Sequence, residues 1–432
     1  MAGEAYTTFS FLGASGWAYS RGGPALYILA YISLAYVVSF FILPPLWEFA
    51  RTRGIQTQSD FFENRYGSKL LAGLVAAIGV VFIVPYLQLQ LKGMGIIVEV
   101  ASFGQIHRTP AMMIAGALVA GFVFTSGVRA VARVSILKDL LLLAAAVVIG
   151  IAVPYHWFGG IGAMFKALAH AHPAHFTMPG ATKNMGHAWY ISTVLLTGLG
   201  AYMWPHLIGS CFTAKSADTL RRNAIVMPLY TLTLPFIFFA GFAAVLIVPG
   251  LKDGDLSMLT VVQKTFPPWF LGIVGGAGAL TAMVPSAILI LTAATLFAKN
   301  FYRPIFAPSM RDESVARLAK WASVALMAVA LFFTLTSGRT IVALLLIGYA
   351  GVSQFFPGIV LGLFWSRVSR AGVFSGLVVG IVAVAFLMLT GRDPVMGLNA
   401  GFAALILNFA VTVVVSLLSD SRASEFGVVL TP

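Results

Sequence analysis

Apolar runs of about 20 residues recur along the whole chain, and they constrain its fold more than any other feature. A helix of this length crosses the hydrocarbon core of a bilayer, which is about 30 Å thick. Of the 432 residues, 59% are hydrophobic and 9% are charged, whereas an average soluble domain is about 25% charged. So few charges cannot cover the surface of a soluble protein. The sequence therefore predicts an all-α integral membrane protein.

Twelve candidate spans can be placed from hydropathy. They cover residues 2 to 20, 25 to 47, 70 to 100, 110 to 127, 136 to 158, 187 to 212, 223 to 250, 269 to 300, 316 to 336, 340 to 366, 371 to 390 and 396 to 419. Several exceed 25 residues, so tilted or irregular helices are expected. No linker or soluble domain separates the spans. Residues 1 to 419 are predicted to form one membrane transport domain, followed by a cytoplasmic tail, 420 to 432.

The basic residues indicate how the chain is oriented in the membrane. A net charge of +13 would suggest a nucleic-acid partner for a soluble protein. Here 18 of the 27 lysines and arginines fall on one face if the first span runs outward. This asymmetry predicts a multi-pass protein of the cell membrane with a cytoplasmic C-terminus and no nucleic-acid partner. The connection 54 to 69 is expected to lie in the cytoplasmic interface as an amphipathic helix, and the external loop 159 to 186 to cover an outer vestibule.

The sequence contains no pattern typical of an enzyme or of a metal cluster. The single cysteine, Cys211, excludes an internal disulfide and a cysteine-based metal site. Paired carboxylates for acid–base work, a phosphate-binding glycine loop and a nucleophile elbow are all missing from the sequence. We therefore predict neither enzyme activity nor a cofactor. The oligomeric state is not fixed by the sequence.

The first span contains polar residues at membrane depth. Secondary carriers bind ions and solutes where a membrane helix is interrupted. Residues 2 to 8 read AGEAYTT, whereas a helix that only anchors the protein in lipid would have Leu and Ile there. This segment is therefore a candidate interruption. A carboxylate such as Glu4 is costly there and is expected to face a cavity or a partner. The alternative is that Glu4 is simply solvated at the end of the span.

Three further segments could carry function. Two glycines and a proline weaken the span at residues 198 to 206, where Trp204 would form a pocket wall or only pack at a kink. Tyr86 and Gln90 share a helix face and should point into the protein. There they would either bind the solute or form hydrogen bonds between helices. Pro285 donates no backbone hydrogen bond, which frees the carbonyl of Thr281 as a potential cation ligand.

With these segments in order, the chain resembles the sodium:solute symporter family over essentially its whole length. The resemblance is carried by residues 2 to 16 with Tyr19, 58 to 67, 85 to 93, 204 to 206, 294 to 302 and 351 to 365. It implies a leucine-transporter-type fold of two inverted five-helix repeats, here about 1 to 158 and 187 to 366, plus two C-terminal helices in 371 to 419. The family has an additional leading helix and a further half-helix before the first break, so the chain is expected to be truncated at its N-terminus.

The resemblance also implies a set of cation ligands. In the family, sodium is held by two backbone carbonyls at the first break, which match Gly3 and Tyr6, and by groups of the eighth span that match Thr281, Val284 and Pro285. The two hydroxyl positions are here Val284 and Pro285, so the set is incomplete. Gly3, Tyr6 and Thr281 are the expected metal ligands only if sodium is bound.

The family's aspartate at the start of the fifth repeat helix aligns with Ser135, which leaves Asp139 one turn further along. The Val-Pro pair and the AGEAYTT opening are similar to the monocarboxylate permease branch of the family. The lost hydroxyls at Val284 and Pro285 weaken the case for sodium and favour protons as the coupling ion.

We therefore expect uptake of a small organic anion, such as pyruvate, lactate or acetate, by alternating access with a cation. Protons are favoured over sodium, and Glu4 would bind the proton. The substrate-binding residues are expected to be Tyr6, Thr7, Thr8, Tyr86, Gln90 and Trp204, and the cation-coupling residues Gly3, Glu4, Tyr6 and Thr281. One alternative is a sodium-coupled carrier of an amino acid or another zwitterion. A transporter-like sensor is a more remote alternative.

Overall fold

The computed structural model describes residues 6–125, 128–182 and 184–419, and within these residues it consists of helices joined by short connections. The α-helices of the first half are α1 Ala14–Arg21, α2 Tyr27–Arg53, α3 Gln58–Tyr66, α4 Lys69–Ala101, α5 Arg108–Thr125, α6 Val128–Phe158, α7 Ile161–Ala171, α8 His187–Gly200 and α9 Pro205–Phe212. Those of the second half are α10 Ala217–Thr231, α11 Leu234–Ile247, α12 Ser257–Thr265, α13 Pro268–Thr295, α14 Arg303–Phe306, α15 Asp312–Thr336, α16 Ile341–Val352, α17 Phe356–Phe364, α18 Arg370–Leu389 and α19 Ala400–Leu418. Gly3, Glu4 and the tail 420 to 432 lie outside the described residues.

Ten of the twelve predicted spans coincide with helices that are long and apolar enough to cross a membrane in the described part of the chain. Nine are single helical runs, and the tenth is the pair His187–Met203 and Pro205–Phe212. The predicted span 2 to 20 is described from Tyr6 onward, where a π-helical turn, Phe9–Gly13, leads into α1. The predicted span 110 to 127 lies on α5, up to the two residues that are not described.

The predicted interruption at residues 198 to 206 is confirmed. Helix α8 ends at Gly200, a 3₁₀ turn covers Ala201–Met203, and α9 starts at Pro205 with its axis turned by 48°. Trp204 joins the two helices with extended backbone angles, φ −63° and ψ 128°. Proline fits the first turn of a helix because its missing N–H has no acceptor there, so Pro205 begins the second half of the span.

The last two helices pack through small residues. Gly372, Gly376 and Gly380 recur every four residues on α18 and face polar side chains of α19. A Cβ atom at Gly376 would collide with the hydroxyl of Thr412, so the close approach requires glycine. Membrane helices associate through such small-residue faces, because lipid supplies no hydrophobic force between them.

Helix α3 forms where an interfacial amphipathic helix was expected, but one face of it is buried in the protein. Thr57 and Asp60 form a capping box at its start. Arg65, only 2% exposed, donates from Nε to the carbonyl of Gly362 at 2.7 Å. Gln58 donates from Nε2 to the carbonyl of Met203 at 2.9 Å. The helix therefore joins α17 to the interruption between α8 and α9.

Asp60 anchors the start of α3 to the segment that follows α13. Its carboxylate accepts from Asn300 Nδ2 at 2.6 Å and lies 3.1 Å from Lys299 Nζ. Burial alone would raise the pKa of Asp60 above 3.8, but Lys299, Asn300 and the Gln56 N–H lower it below that value. The ionised carboxylate therefore stabilises the folded protein at neutral pH, and this stabilisation is lost as the pH falls through the lowered pKa.

We predict that Asp60→Asn lowers the free energy of unfolding by about 1 kcal/mol at neutral pH, because a partly exposed ion pair is lost. Thermal unfolding of the purified protein measures this effect. The difference from wild type should be constant above about pH 5 and shrink at lower pH. Glu63→Gln on the same helix is the matched control, since Glu63 makes no ion pair among the described residues. Equal destabilisation by both variants would contradict the assignment.

Candidate functional site

We call the π-helical turn Phe9–Gly13 together with α1 the first helical run. A central cavity of about 100 Å³ lies where the start of this run, α2, α4, α10 and α16 meet the interruption at Trp204. Most of its polar wall is hydroxyl groups, from Tyr6, Thr7, Ser10, Tyr31, Tyr36, Tyr86, Tyr202, Thr231 and Tyr349. The other lining residues are Phe9, Ile32, Ala35, Ala201, Trp204, Leu207, Asn223, Met227, Leu234 and Leu345. None of these described lining side chains is charged. The cavity suits a small solute that is held by hydroxyl groups and aromatic rings.

Four of the six predicted substrate residues line this cavity: Tyr6, Thr7, Tyr86 and Trp204. The indole of Trp204 packs against the ring of Tyr86, with centroids 4.8 Å apart, and edge-on to Tyr349 at 5.4 Å. The interruption between α8 and α9 thus directs Trp204 into the site as a pocket wall. A residue that only packs at a kink would not need to face the cavity in this way.

Thr8 and Gln90, the other two predicted substrate residues, do not line the cavity. The Thr8 hydroxyl donates to Gln90 Oε1, and the Thr8 N–H donates to the same oxygen at 3.3 Å. Both side chains are almost fully buried. Gln90 therefore caps the start of the first helical run and ties it to α4, behind the wall of the cavity.

The predicted sodium ligands are not seen to meet in the described part of the chain. Thr281 is buried in α13, and its hydroxyl donates to the Ala277 carbonyl at 2.7 Å within the same helix. It is not one of the residues that line the cavity. Gly3 and Glu4 lie outside the described residues. Among the described residues predicted to bind sodium, only Tyr6 has its carbonyl next to a positive charge, and that charge belongs to a lysine side chain.

Lys138 of α6 holds the Tyr6 carbonyl. Its ammonium donates to this oxygen at 2.8 Å, and the side chain is 0% exposed. The neighbouring Asp139 carboxylate lies 3.1 Å from the same Nζ atom. The Tyr6 hydroxyl bonds to Thr233, just before α11. A lysine ammonium thus occupies one side of a carbonyl that the family resemblance assigns to sodium.

Lys138 was not predicted as a site residue. In the sequence it belongs to the basic residues of a predicted cytoplasmic connection, at the start of an apolar run. Its partner is 132 positions earlier in the chain, so no local pattern links the two. The signal that could have found it is the Lys-Asp pair directly before the run LLLLAAAVVIG, because charges next to an apolar span need partners.

A group of packed aromatic side chains lies between the cavity and the predicted external loop. Trp17 lies 5.8 Å from Tyr27 and 6.0 Å from Trp189, measured between ring centroids. Tyr27 in turn stacks on Tyr31, which lines the cavity. We call Trp17, Tyr27 and Trp189 the aromatic layer. On the other side the cavity extends to Asn223 in α10, near the end that carries the predicted cytoplasmic arginines.

The family model of the sodium:solute symporter family matches residues 1–380. The chain belongs to this family. It is therefore a membrane transporter that works by symport, and its family is one of carriers and not of enzymes.

Curated relatives of this symporter cover nearly its whole length. The uncharacterized symporter YhjB of Bacillus subtilis (strain 168) is 43% identical, over 98% of this chain and 89% of that protein. A monocarboxylate transport permease protein of Rhizobium johnstonii is 28% identical, over 98% and 87%. A sodium/pantothenate symporter of Escherichia coli (strain K12) is also 28% identical, over 88% and 78%. These two relatives differ in substrate at equal identity.

A solved structure supports the predicted fold of the symporter. A Na⁺-coupled sialic acid symporter in a substrate-bound outward-open state superposes with a TM-score of 0.80. The match covers 99% of this chain and 90% of that one at 16% sequence identity. The leucine-transporter-type fold expected from the sequence is thereby confirmed. The boundaries of the two inverted repeats remain a prediction.

We predict that Ala35→Leu abolishes solute uptake by filling the central cavity. Ala35 is 5% exposed and lines the cavity. Three added carbon atoms take much of a volume of about 100 Å³. Uptake by proteoliposomes, with thermal unfolding as a check on folding, measures the effect. The matched control is Ala144→Leu on the exposed face of α6. Normal uptake by a folded Ala35→Leu protein would contradict the placement of the solute.

Proposed function

We propose that this symporter takes up a small monocarboxylate of the pyruvate, lactate or acetate type together with a proton, across the cell membrane and with its C-terminus in the cytoplasm. The observation that carries the choice of ion is the contact between Lys138 Nζ and the Tyr6 carbonyl at 2.8 Å. The choice of solute is supported by the size and the chemistry of the central cavity.

The ammonium of Lys138 opposes sodium at the Tyr6 carbonyl. A sodium ion on the same oxygen would lie roughly 4 Å from the ammonium, where two like charges repel. The Asp139 carboxylate, 3.1 Å from the ammonium, offsets part of this repulsion, and the ammonium also occupies one side of the carbonyl oxygen. The span that should complete the sodium site has Val284 and Pro285 where hydroxyls are needed. The ammonium of Lys138, a tethered cation that belongs to the protein, therefore takes the place of a bound sodium ion.

The same pair offers a route for a proton. Lys138 and Asp139 are 3.1 Å apart, and loss of a proton from the ammonium would leave a neutral amine, which binds the Tyr6 carbonyl less strongly than the ammonium does. Proton binding and the conformation of this run would then be linked. Glu4, two residues before Tyr6 in the sequence, remains the group that is predicted to bind the proton.

The central cavity fits a solute of a few heavy atoms. Its volume of about 100 Å³ is smaller than the roughly 150 Å³ of an apolar cavity that accepts benzene. Phenolic hydroxyls can donate to a carboxylate, and the aromatic rings pack against a short carbon chain. The lining has no described carboxylate to pair with the ammonium group of an amino acid. The cavity therefore favours a monocarboxylate over a zwitterion or a solute as large as pantothenate.

Uptake assays in proteoliposomes test the proposed function. We expect pyruvate, lactate or acetate to accumulate when an inward proton gradient is imposed without sodium. Proline serves as the zwitterionic comparison. Uptake that requires sodium and ignores the proton gradient would overturn proton coupling. Accumulation of proline but of no monocarboxylate would overturn the proposed solute.

We predict that Lys138→Ala abolishes proton-driven uptake and creates a response to sodium. Loss of the ammonium leaves the Tyr6 carbonyl and the Asp139 carboxylate open to a diffusible cation. Sodium should raise the unfolding temperature of Lys138→Ala but not that of wild type or of the control Lys166→Ala, which changes a lysine of the outer helix α7. Stabilisation of the wild type by sodium, with no change in Lys138→Ala, would contradict the tethered cation.

A further inference from the structure

A second, larger cavity lies beyond the aromatic layer. It has a volume of about 560 Å³ and is lined by Trp17 and Trp189 of that layer, and also by Arg21, Asn184, Arg339 and Asp393. We call it the outer cavity, because it lies on the side of the predicted external loop. The central cavity has no charged residue in its described lining, whereas the outer cavity has two arginines.

The arginines of the outer cavity are not matched by protein partners in the described part of the chain. Arg21 Nε is buried and has no hydrogen-bond acceptor there, while its guanidinium lies over the ring of Trp17, 5.9 Å from the centroid. Arg339 is exposed at the start of α16. Neither guanidinium forms an ion pair with a described carboxylate. A buried donor without an acceptor is costly, so an arriving anion has a favourable partner in Arg21.

Asp393 offsets only part of this charge. It belongs to the lining, but its Oδ1 atom accepts from the Ala400 N–H at 3.0 Å and thereby caps the first turn of α19. The two guanidiniums thus outnumber the single described carboxylate of the lining. The excess positive charge favours a small anion over a cation or a zwitterion.

Hydrogen bonds connect described residues of the predicted external loop to the end of α1. The Ala181 N–H donates to the Arg21 carbonyl at 3.1 Å, and His175 Nε2 lies 3.1 Å from the Tyr19 carbonyl. These contacts fix the predicted external loop over the end of α1. Trp17 Nε1 donates to Thr340 Oγ1 at 3.3 Å and fixes the floor of the cavity.

We propose that the outer cavity is a binding site for a small carboxylate, which Arg21 and Arg339 capture before the aromatic layer opens. This inference rests on the proposed function, because the captured anion is the transported solute. The two cavities share the aromatic layer: Trp17 and Trp189 line the outer one, and Tyr27 connects them to Tyr31 in the central one. A solute leaving the outer cavity therefore meets the central site directly beneath.

Thiol labelling tests the site without any transport assay. Asn184→Cys adds a thiol to the exposed lining, and the native Cys211 is fully buried. Its reaction rate is measured in the purified full chain with an anionic sulfonatoethyl and a cationic trimethylammonioethyl methanethiosulfonate. We expect the ratio of the anionic to the cationic rate to fall about tenfold when Arg21→Gln and Arg339→Gln are combined. Asp393→Asn, which keeps the acceptor for Ala400, should raise the ratio.

Arg392→Gln is the matched control, since Arg392 is a neighbouring arginine that contacts Phe386 and does not line the cavity. It should leave the ratio unchanged. Pyruvate or acetate should slow labelling of Asn184→Cys, and the protection should need both arginines, whereas proline should protect less. An unchanged ratio in the double variant, or equal protection by pyruvate with and without the arginines, would overturn the proposal.

The labelling result and the transport result are separable. If labelling is charge-selective and pyruvate protects, the outer site stands even when no monocarboxylate is accumulated, and the proposed function alone fails. If uptake occurs but Arg21→Gln leaves its KM unchanged, the outer site fails and the proposed function stands. We expect Arg21→Gln to raise the KM for entry from the outer side about tenfold without changing the KM for exit.

Discussion

The contact between Lys138 and the Tyr6 carbonyl is the interaction on which the described site depends most. Backbone that leaves a helix at membrane depth must find partners, because lipid offers none. The first helical run begins at Phe9, so the Tyr6 carbonyl precedes it, and a buried ammonium supplies the donor. Asp139 in turn compensates the buried charge at 3.1 Å. Removing either charge would leave the other buried without an ionic partner. The bond therefore fixes α6 against the residues that form one wall of the central cavity.

Charge is divided unequally between the two cavities. The central cavity presents hydroxyls and rings, with the ammonium of Lys138 behind the Tyr6 carbonyl, whereas the guanidiniums of Arg21 and Arg339 line the outer one. A charged wall attracts an anion from water, but it would also hold the anion too tightly for release at a site that must empty in each cycle. A neutral, close-fitting wall discriminates by size and by hydrogen bonds. The arginines of the outer cavity thus attract the anion, whereas the hydroxyls and rings of the central cavity select it.

Much of the fold could be predicted because hydropathy and proline are local signals. The ten long spans and the interruption at Trp204 follow from runs of apolar residues and from Pro205. The partners within the site could not be predicted in this way. Gln90 shares a helix face with Tyr86, yet it bonds to Thr8, 82 positions away, while Tyr86 lines the cavity. The periodicity of a helix predicts which side chains point into the protein, but not what they contact there. The packing of the neighbouring helices decides which of two such side chains lines the cavity.

The interruption at Trp204 also connects the central cavity to the predicted cytoplasmic face. Gln58 of α3 donates to the Met203 carbonyl at 2.9 Å, one residue before the indole that forms the cavity wall. The same helix is held to α17 through Arg65 and to the segment after α13 through Asp60. The backbone next to Trp204 therefore has a side-chain partner on α3, outside the broken span itself. Because Asp60 and Arg65 hold the two ends of α3, the position of this wall of the cavity depends on three hydrogen bonds to parts of the chain that are distant in sequence.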